Sequence, residues 1–163
     1  MWFVLLILSY SFARHVSSEQ VSFIPCGENT FSSLYITPCN ATTVNVNQTC
    51  VLMHGHNILF QAYFVSPFNS SSLQVATMIT LEGVEVPSIN SGYDPCFGSI
   101  TPACPVTEGK TYFFQKLYNV QSEFPIGLMD LKLVILDMET KDVAGCGKIK
   151  ILVAKNPDYM YLD

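Results

Sequence analysis

His54 and His56, in "HGH", stand one residue apart, so on a strand both rings would leave the same face as a pair of metal ligands. No carboxylate lies near them in sequence, and beside Gly55 they read equally as the polar entry to a strand. Glu82 and Glu85 flank Gly83 in a turn-like stretch, where paired carboxylates are ordinarily solvated. Nothing in the chain matches a GxSxG elbow, an HExxH helix or a phosphate-cradling glycine loop. A glycosidase pair of carboxyls across a cleft has no signature here either. The expectation is a protein without catalytic residues, cofactor or metal.

The six cysteines, Cys26, Cys39, Cys50, Cys96, Cys104 and Cys146, carry more information. A structural zinc site needs close CxxC-type pairs, which are absent. An even count in a secreted chain reads as three disulfides, with connectivity left open by spacing alone. Secretion itself is indicated by "MWFVLLILSYSFA", an apolar run short for a membrane span and followed by small residues. Cleavage is expected after Ser18, giving a signal peptide of residues 1–18 and a single domain at 19–163. Three sequons follow, at Asn40, Asn47 and Asn69, each a candidate glycosylation site.

Loss of the signal would also remove Arg14, the only arginine, leaving 7 Lys against 13 Asp plus Glu. Those lysines are scattered, which argues against nucleic acid as a partner. The remaining chain is aromatic-rich and poor in charge, so it has apolar surface to hide.

The elements that would hide it are strands. Seven short β-rich runs, at 20–24, 31–36, 56–66, 72–81, 110–118, 128–138 and 147–154, alternate with turn clusters such as "PFNSSS" and "ETKDVAGCG". That spacing predicts an all-β sandwich or barrel. Several strands are apolar on both parities. In 110–118 the even positions are Tyr112, Phe114, Lys116 and Tyr118, while the odd ones include Phe113 and Leu117. Either apolar residues face outward, as they commonly do, or there is internal apolar surface beyond an ordinary two-layer core.

"EQVSFIPCG" after the cleavage site, "ITPC", and "CPVTEGKTYFFQKLYNVQSEFP" with its C-P-x(5)-T-Y and S-E-F-P segments together resemble the ML (lipid-recognition) domain family. The resemblance spans essentially residues 19–155, and is nearest to the family's small secreted sterol carriers, with the group-two mite allergens as relatives. It implies an immunoglobulin-like β-sandwich of about seven strands, splayed to hold a lipid. It also implies the pairs Cys26–Cys146, Cys39–Cys50 and Cys96–Cys104. Val120, Phe124 and Pro125 would stand at the mouth of the lipid slot. Phe64, Val86, Ile89, Tyr112 and Phe114 would be its wall. Ser88 departs from the pattern, occupying a position where the family usually has a pocket Phe.

The function so implied is a secreted, monomeric lipid-binding and transfer protein. Its partner would be a sterol, fatty acid or phospholipid, with transient contact to a membrane or transfer partner. Its location would be extracellular or in the lysosomal lumen. Two other readings share these features: a lipid-presenting accessory of innate immune recognition, and an immunoglobulin-like adhesion module without ligand. The adhesion module packs a buried Trp against an inter-sheet disulfide, whereas the only Trp here is Trp2, in the signal.

Overall fold

The computed structural model describes residues 19–44, 47–88 and 92–156, with main chain alone for 19, 40–44, 47 and 48. Residues 1–18, expected from the sequence to be a signal peptide, Ile89 and the C-terminal residues from 157 lie outside the described residues. In chain order the strands are β1 (Glu19–Gln20), β2 (Ile24–Pro25), β3 (Ser33–Thr37), β4 (Asn40–Val44), β5 (Asn47–Met53) and β6 (Asn57–Val65). They continue as β7 (Leu73–Leu81), β8 (Val84–Pro87), β9 (Ile100–Thr101), β10 (Thr111–Asn119), β11 (Gly127–Asp137) and β12 (Val143–Ala154).

They form two sheets. One has the order β1-β3-β6-β10-β9; the other runs β4-β5-β12-β11-β7-β8, with β2 added beside β12. Neighbours pair antiparallel except β5 with β12, which run parallel from Cys50↔Ile151 to Met53↔Ala154. The all-β sandwich expected from the sequence is therefore the fold.

The core follows strand alternation. Leu34 and Ile36 of β3, Ile58, Phe60, Ala62 and Phe64 of β6, and Tyr112, Phe114 and Tyr118 of β10 are buried on one side. Facing them are Leu73, Val75 and Ile79 of β7, Met129, Leu131, Leu133 and Ile135 of β11, and Ile149, Ile151 and Val153 of β12. The second apolar parity of β6 and β10 faces outward. Tyr63, Val65 and Leu117 are exposed, and Tyr63 meets Phe113 with ring centroids 4.8 Å apart on that outer face. The other sheet is sealed outside by charge instead. Glu85 of β8 bridges Lys132 of β11 at 3.1 Å and Lys148 of β12 at 2.6 Å, and Asp130 meets Lys150 at 2.9 Å.

Two differences from the sequence reading have clear physical reasons. The run 20–24 is not one strand: β1 pairs with β3 and β2 pairs with β12, so the chain changes sheet between them. β12 starts at Val143 rather than 147, because "AGCG" is strand and not turn. Its glycines are there for space. A Cβ on Gly145 would sit 2.7 Å from Phe31 Cε1, and one on Gly147 would sit 3.1 Å from both Phe31 and Phe23. Phe31, itself fully buried, lies against bare backbone at this end of the sandwich.

The three disulfides are Cys26–Cys146, Cys39–Cys50 and Cys96–Cys104, the pairing implied by the resemblance. The first spans 120 residues and ties the chain just after β2 to β12. Residues 27–32 then cross to the other sheet. On the way Asn29 Nδ2 donates to the Val143 carbonyl at 3.0 Å, and Thr30 Oγ1 donates to the Cys146 carbonyl at 2.9 Å.

Candidate functional site: a slot between the sheets

At the end of the sandwich away from Phe31, the layers do not close completely. A cavity of about 30 Å³ lies between them, lined by Leu52, Ile58, Phe60, Leu131, Ile151, Val120 and Phe124, with the polar residues Thr77, Ser88, Tyr118 and Asn119. Seven strands or their ends contribute, which places the slot between the two sheets rather than on one surface.

Its mouth is built by two connections. The turn at 54–56 carries the chain from β5 in one sheet to β6 in the other, with Gly55 in the left-handed region at φ 79°. The loop after β10 is bonded to that turn. Gly55 N–H donates to the Val120 carbonyl at 2.7 Å, and Val120 N–H donates to the His56 carbonyl at 2.9 Å. His54, buried, places its Nε2 2.9 Å from the Phe124 carbonyl. Asn119 adds its amide to the Gly55 carbonyl at 3.2 Å and to Asn57 Oδ1 at 3.0 Å. Val120 is thereby buried and Phe124 half-buried over the slot.

The histidine pair is thus divided. His54 faces inward to the loop, whereas His56 is exposed with Nε2 3.3 Å from Asn156 Nδ2. Among the described residues no group of three His, Cys, Asp or Glu is placed to hold a metal ion. Glu82 and Glu85 do not meet as a pair either: Glu82 is an exposed turn residue with φ 50°, and Glu85 is engaged by Lys132 and Lys148. Those two lysines hold the Glu85 carboxyl below its ordinary range.

Of the residues named from sequence, Val120 and Phe124 line the slot, and Pro125 follows half-buried. Val86 packs half-buried against the core, opposite Ile79. Phe64, Tyr112 and Phe114 are buried but do not reach the slot. Tyr112 stands six residues of β10 before Tyr118, roughly 20 Å at strand rise. There Phe64 and Tyr112 stack at 5.8 Å, and the Tyr112 hydroxyl accepts from Thr107 N–H at 2.8 Å. Ile89 lies outside the described residues, as do the side chains of Asn40 and Asn47; Asn69 is exposed.

Sequence reasoning missed Leu52, Ile58, Phe60, Leu131 and Ile151. The inward parity of Ile58 and Phe60 on β6 and of Leu131 on β11 was visible, but which end of each strand meets a gap was not. Ser88 does line the slot. It is buried, its N–H donates to the Thr77 carbonyl at 2.8 Å, and its hydroxyl is hydrogen-bonded to that of Thr77. Tyr118 packs edge-on against Phe60 with centroids 5.3 Å apart. Burial pushes the Tyr118 phenol up to about 12. The neighbouring Tyr93 phenol is pushed up by burial first and by Tyr118 second.

Comparison with known proteins agrees with this architecture. The Niemann-Pick type C2 protein from Japanese carpenter ant superposes with a TM-score of 0.69 at 15% identity, over 82% of this chain and 99% of that one. The C-terminal domain of wzt matches with a TM-score of 0.51 at 16% identity, over 86% and 81% of the two chains. Chicken MD-1, in its complex with lipid IVa, matches with a TM-score of 0.46 at 12% identity, over 83% and 96%. The sequence model of the ML domain matches residues 20–153. This protein belongs to the ML domain family, a family of lipid-binding proteins.

Proposed function

We propose that this protein is a secreted carrier that holds one hydrophobic lipid between its two sheets and passes it on without chemical change. The observation that carries the reading is the placement of Val120 and Phe124, which close the mouth of an inter-sheet slot walled by Leu52, Ile58, Phe60, Leu131 and Ile151. The driving force is apolar surface leaving water, so a lipid surrendering about 400 Å² gains on the order of 10 kcal/mol. Part of that gain must open the slot. At about 30 Å³ it is far below the roughly 300 Å³ or more of a typical ligand site. Lipid entry therefore requires the mouth end to widen, with Phe124 moving as the loop gives way.

In this reading the signal segment 1–18 directs export, and the exposed Asn69 is available to a glycan. The destination is extracellular fluid or the lysosomal lumen, and the protein works as a monomer that touches membranes transiently. The test is mass spectrometry of organic extracts from protein purified from secreting cells, paired with displacement of a fluorescent fatty-acid or sterol probe. A stoichiometric lipid and saturable displacement are expected. Phe124→Asp should weaken probe binding at least tenfold while the circular dichroism spectrum is kept. A folded Phe124→Asp variant with wild-type affinity would remove Phe124 from the mouth, and a lipid-free protein that binds no probe would end the carrier reading.

A further inference from the structure

The polar side chains of the slot are not equivalent. Thr77 and Ser88 spend their hydroxyls on each other, and the Asn119 amide is bonded to Gly55 and Asn57. Tyr118 lines the same slot, yet its hydroxyl is buried with the Tyr93 hydroxyl as its one polar neighbour and no well-formed hydrogen bond among the described residues. Beside it, ring centroids 6.4 Å apart, the Tyr93 hydroxyl is buried too, with the Tyr118 and Ser99 side chains near it but no well-formed hydrogen bond to either. A buried phenol without a partner is a standing cost to the fold, and native proteins rarely carry two together without a use.

We propose that the Tyr118 hydroxyl is the polar anchor of the slot, with Tyr93 beside it, and that the ligand is an amphiphile with one small hydrogen-bonding head, a hydroxyl or a carboxyl, turned inward. This rests on the carrier reading and specifies its substrate class. A phenol both donates and accepts, so either head is served. A bulky zwitterionic head does not fit, because the slot-lining residues carry no charged side chain and charge buried without a partner is strongly disfavoured. One cation stands close by. Lys116, on the inward parity of β10, holds its Nζ 4.4 Å from the Tyr93 ring centroid and makes no ion pair among the described residues. Lys116 distinguishes the two heads: a carboxylate gains from it, whereas an alcohol does not.

The experiment is displacement of a fluorescent probe by 1-dodecanol, dodecanoic acid and 1-bromododecane, which share a chain and differ in the head. Wild-type protein should bind the alcohol and the acid more tightly than the bromide. Tyr118→Phe should lose about five- to tenfold for the two headed ligands and nothing for the bromide, with apo thermal stability equal to or above wild type. Lys116→Gln should weaken the acid alone if the natural head is a carboxylate, and neither if it is a hydroxyl. In wild-type protein, the Tyr118 ring-carbon resonance next to the hydroxyl should move on adding dodecanol and stay still with the bromide. Equal losses for all three ligands, or none, would overturn the anchor while leaving the carrier reading intact. Failure of all three to displace the probe from wild type would instead sink the carrier reading and the anchor with it.

Discussion

The His54 imidazole Nε2 lies 2.9 Å from the carbonyl oxygen of Phe124, joining the β5–β6 turn to the β10–β11 loop across 70 residues of chain. One side chain from the turn between the sheets thus holds the residue that covers the slot.

His54→Ala should therefore loosen the mouth before it unfolds the domain. Loss of this partly buried bond is expected to cost about 1–3 kcal/mol. Amide exchange should accelerate selectively over residues 120–126, and a bound probe should dissociate several-fold faster in stopped flow. Exchange that rises evenly across the sandwich would show that His54 is merely a core residue.

Ser88→Phe tests the wall opposite. The ring is far larger than the space of about 30 Å³ next to Ser88, and the hydroxyl of Thr77 loses its Ser88 partner. Overpacking should cost about 1–3 kcal/mol in urea unfolding. Probe capacity should fall tenfold or more, and retention of full affinity would exclude Ser88 from the ligand path.

At the closed end, Gly145→Ala should destabilise without touching binding. The new methyl would sit 2.7 Å from Phe31 Cε1 and 3.3 Å from Phe64 Cβ, in a place with no room to yield. About 1–3 kcal/mol is expected. Phe31→Leu combined with it should recover part of the loss, and simple additivity of the two changes would argue against direct contact.

The pH dependence has two separate ends. Hydrogen bonds from the Ser70 hydroxyl, then from the Thr140 backbone and Glu139 amide, lower the Asp137 carboxyl to about 2 from 3.8. A depressed folded-state value means stability present above 3.8 and lost as pH falls towards 2. Tyr118 is the reverse. Raised by burial to about 12 from 10, it adds no ionisation penalty below 10, and stability falls as pH rises from 10 through 12. Thermal unfolding across pH should show Asp137→Asn flattening the acid limb and Tyr118→Phe the alkaline limb. An unchanged limb in either variant would dissociate that residue from it.

Much of the sandwich was legible because burial writes itself as alternation. Ile58, Phe60, Ala62 and Phe64 declare the inner face of β6, and Tyr112, Phe114 and Tyr118 that of β10. The opposite parity was ambiguous for a physical reason. Tyr63, Phe113 and Leu117 look like core in sequence, and only the three-dimensional layer order puts them on the outer face, Tyr63 and Leu117 exposed and Phe113 half-buried against Tyr63. β4 and β5 escaped notice because "NATTV" and "NQTC" read as polar sequon loops, while β5 is held by parallel pairing to β12, a contact without local signal. Two residues that line the slot, Val120 and Phe124, were readable from the resemblance. The rest of the slot was not, since Phe64 and Phe60 are chemically alike and differ only in their position along β6.

Two of the crossings between the sheets are fastened unequally. Residues 27–32 are secured by a covalent bond at Cys26–Cys146, by Asn29 and Thr30, and by Phe31 pressed onto glycine backbone. The crossing at 54–56 has hydrogen bonds alone to the loop that carries Val120 and Phe124. The Phe31 end is accordingly the fixed end of a clothes-peg, and at the slot end, where Cys39–Cys50 fastens β5, the loop carrying Val120 and Phe124 is the jaw held only by hydrogen bonds. Cargo thickness should matter less than cargo length, because the jaw can yield whereas the fastened end sets how deep a chain can go.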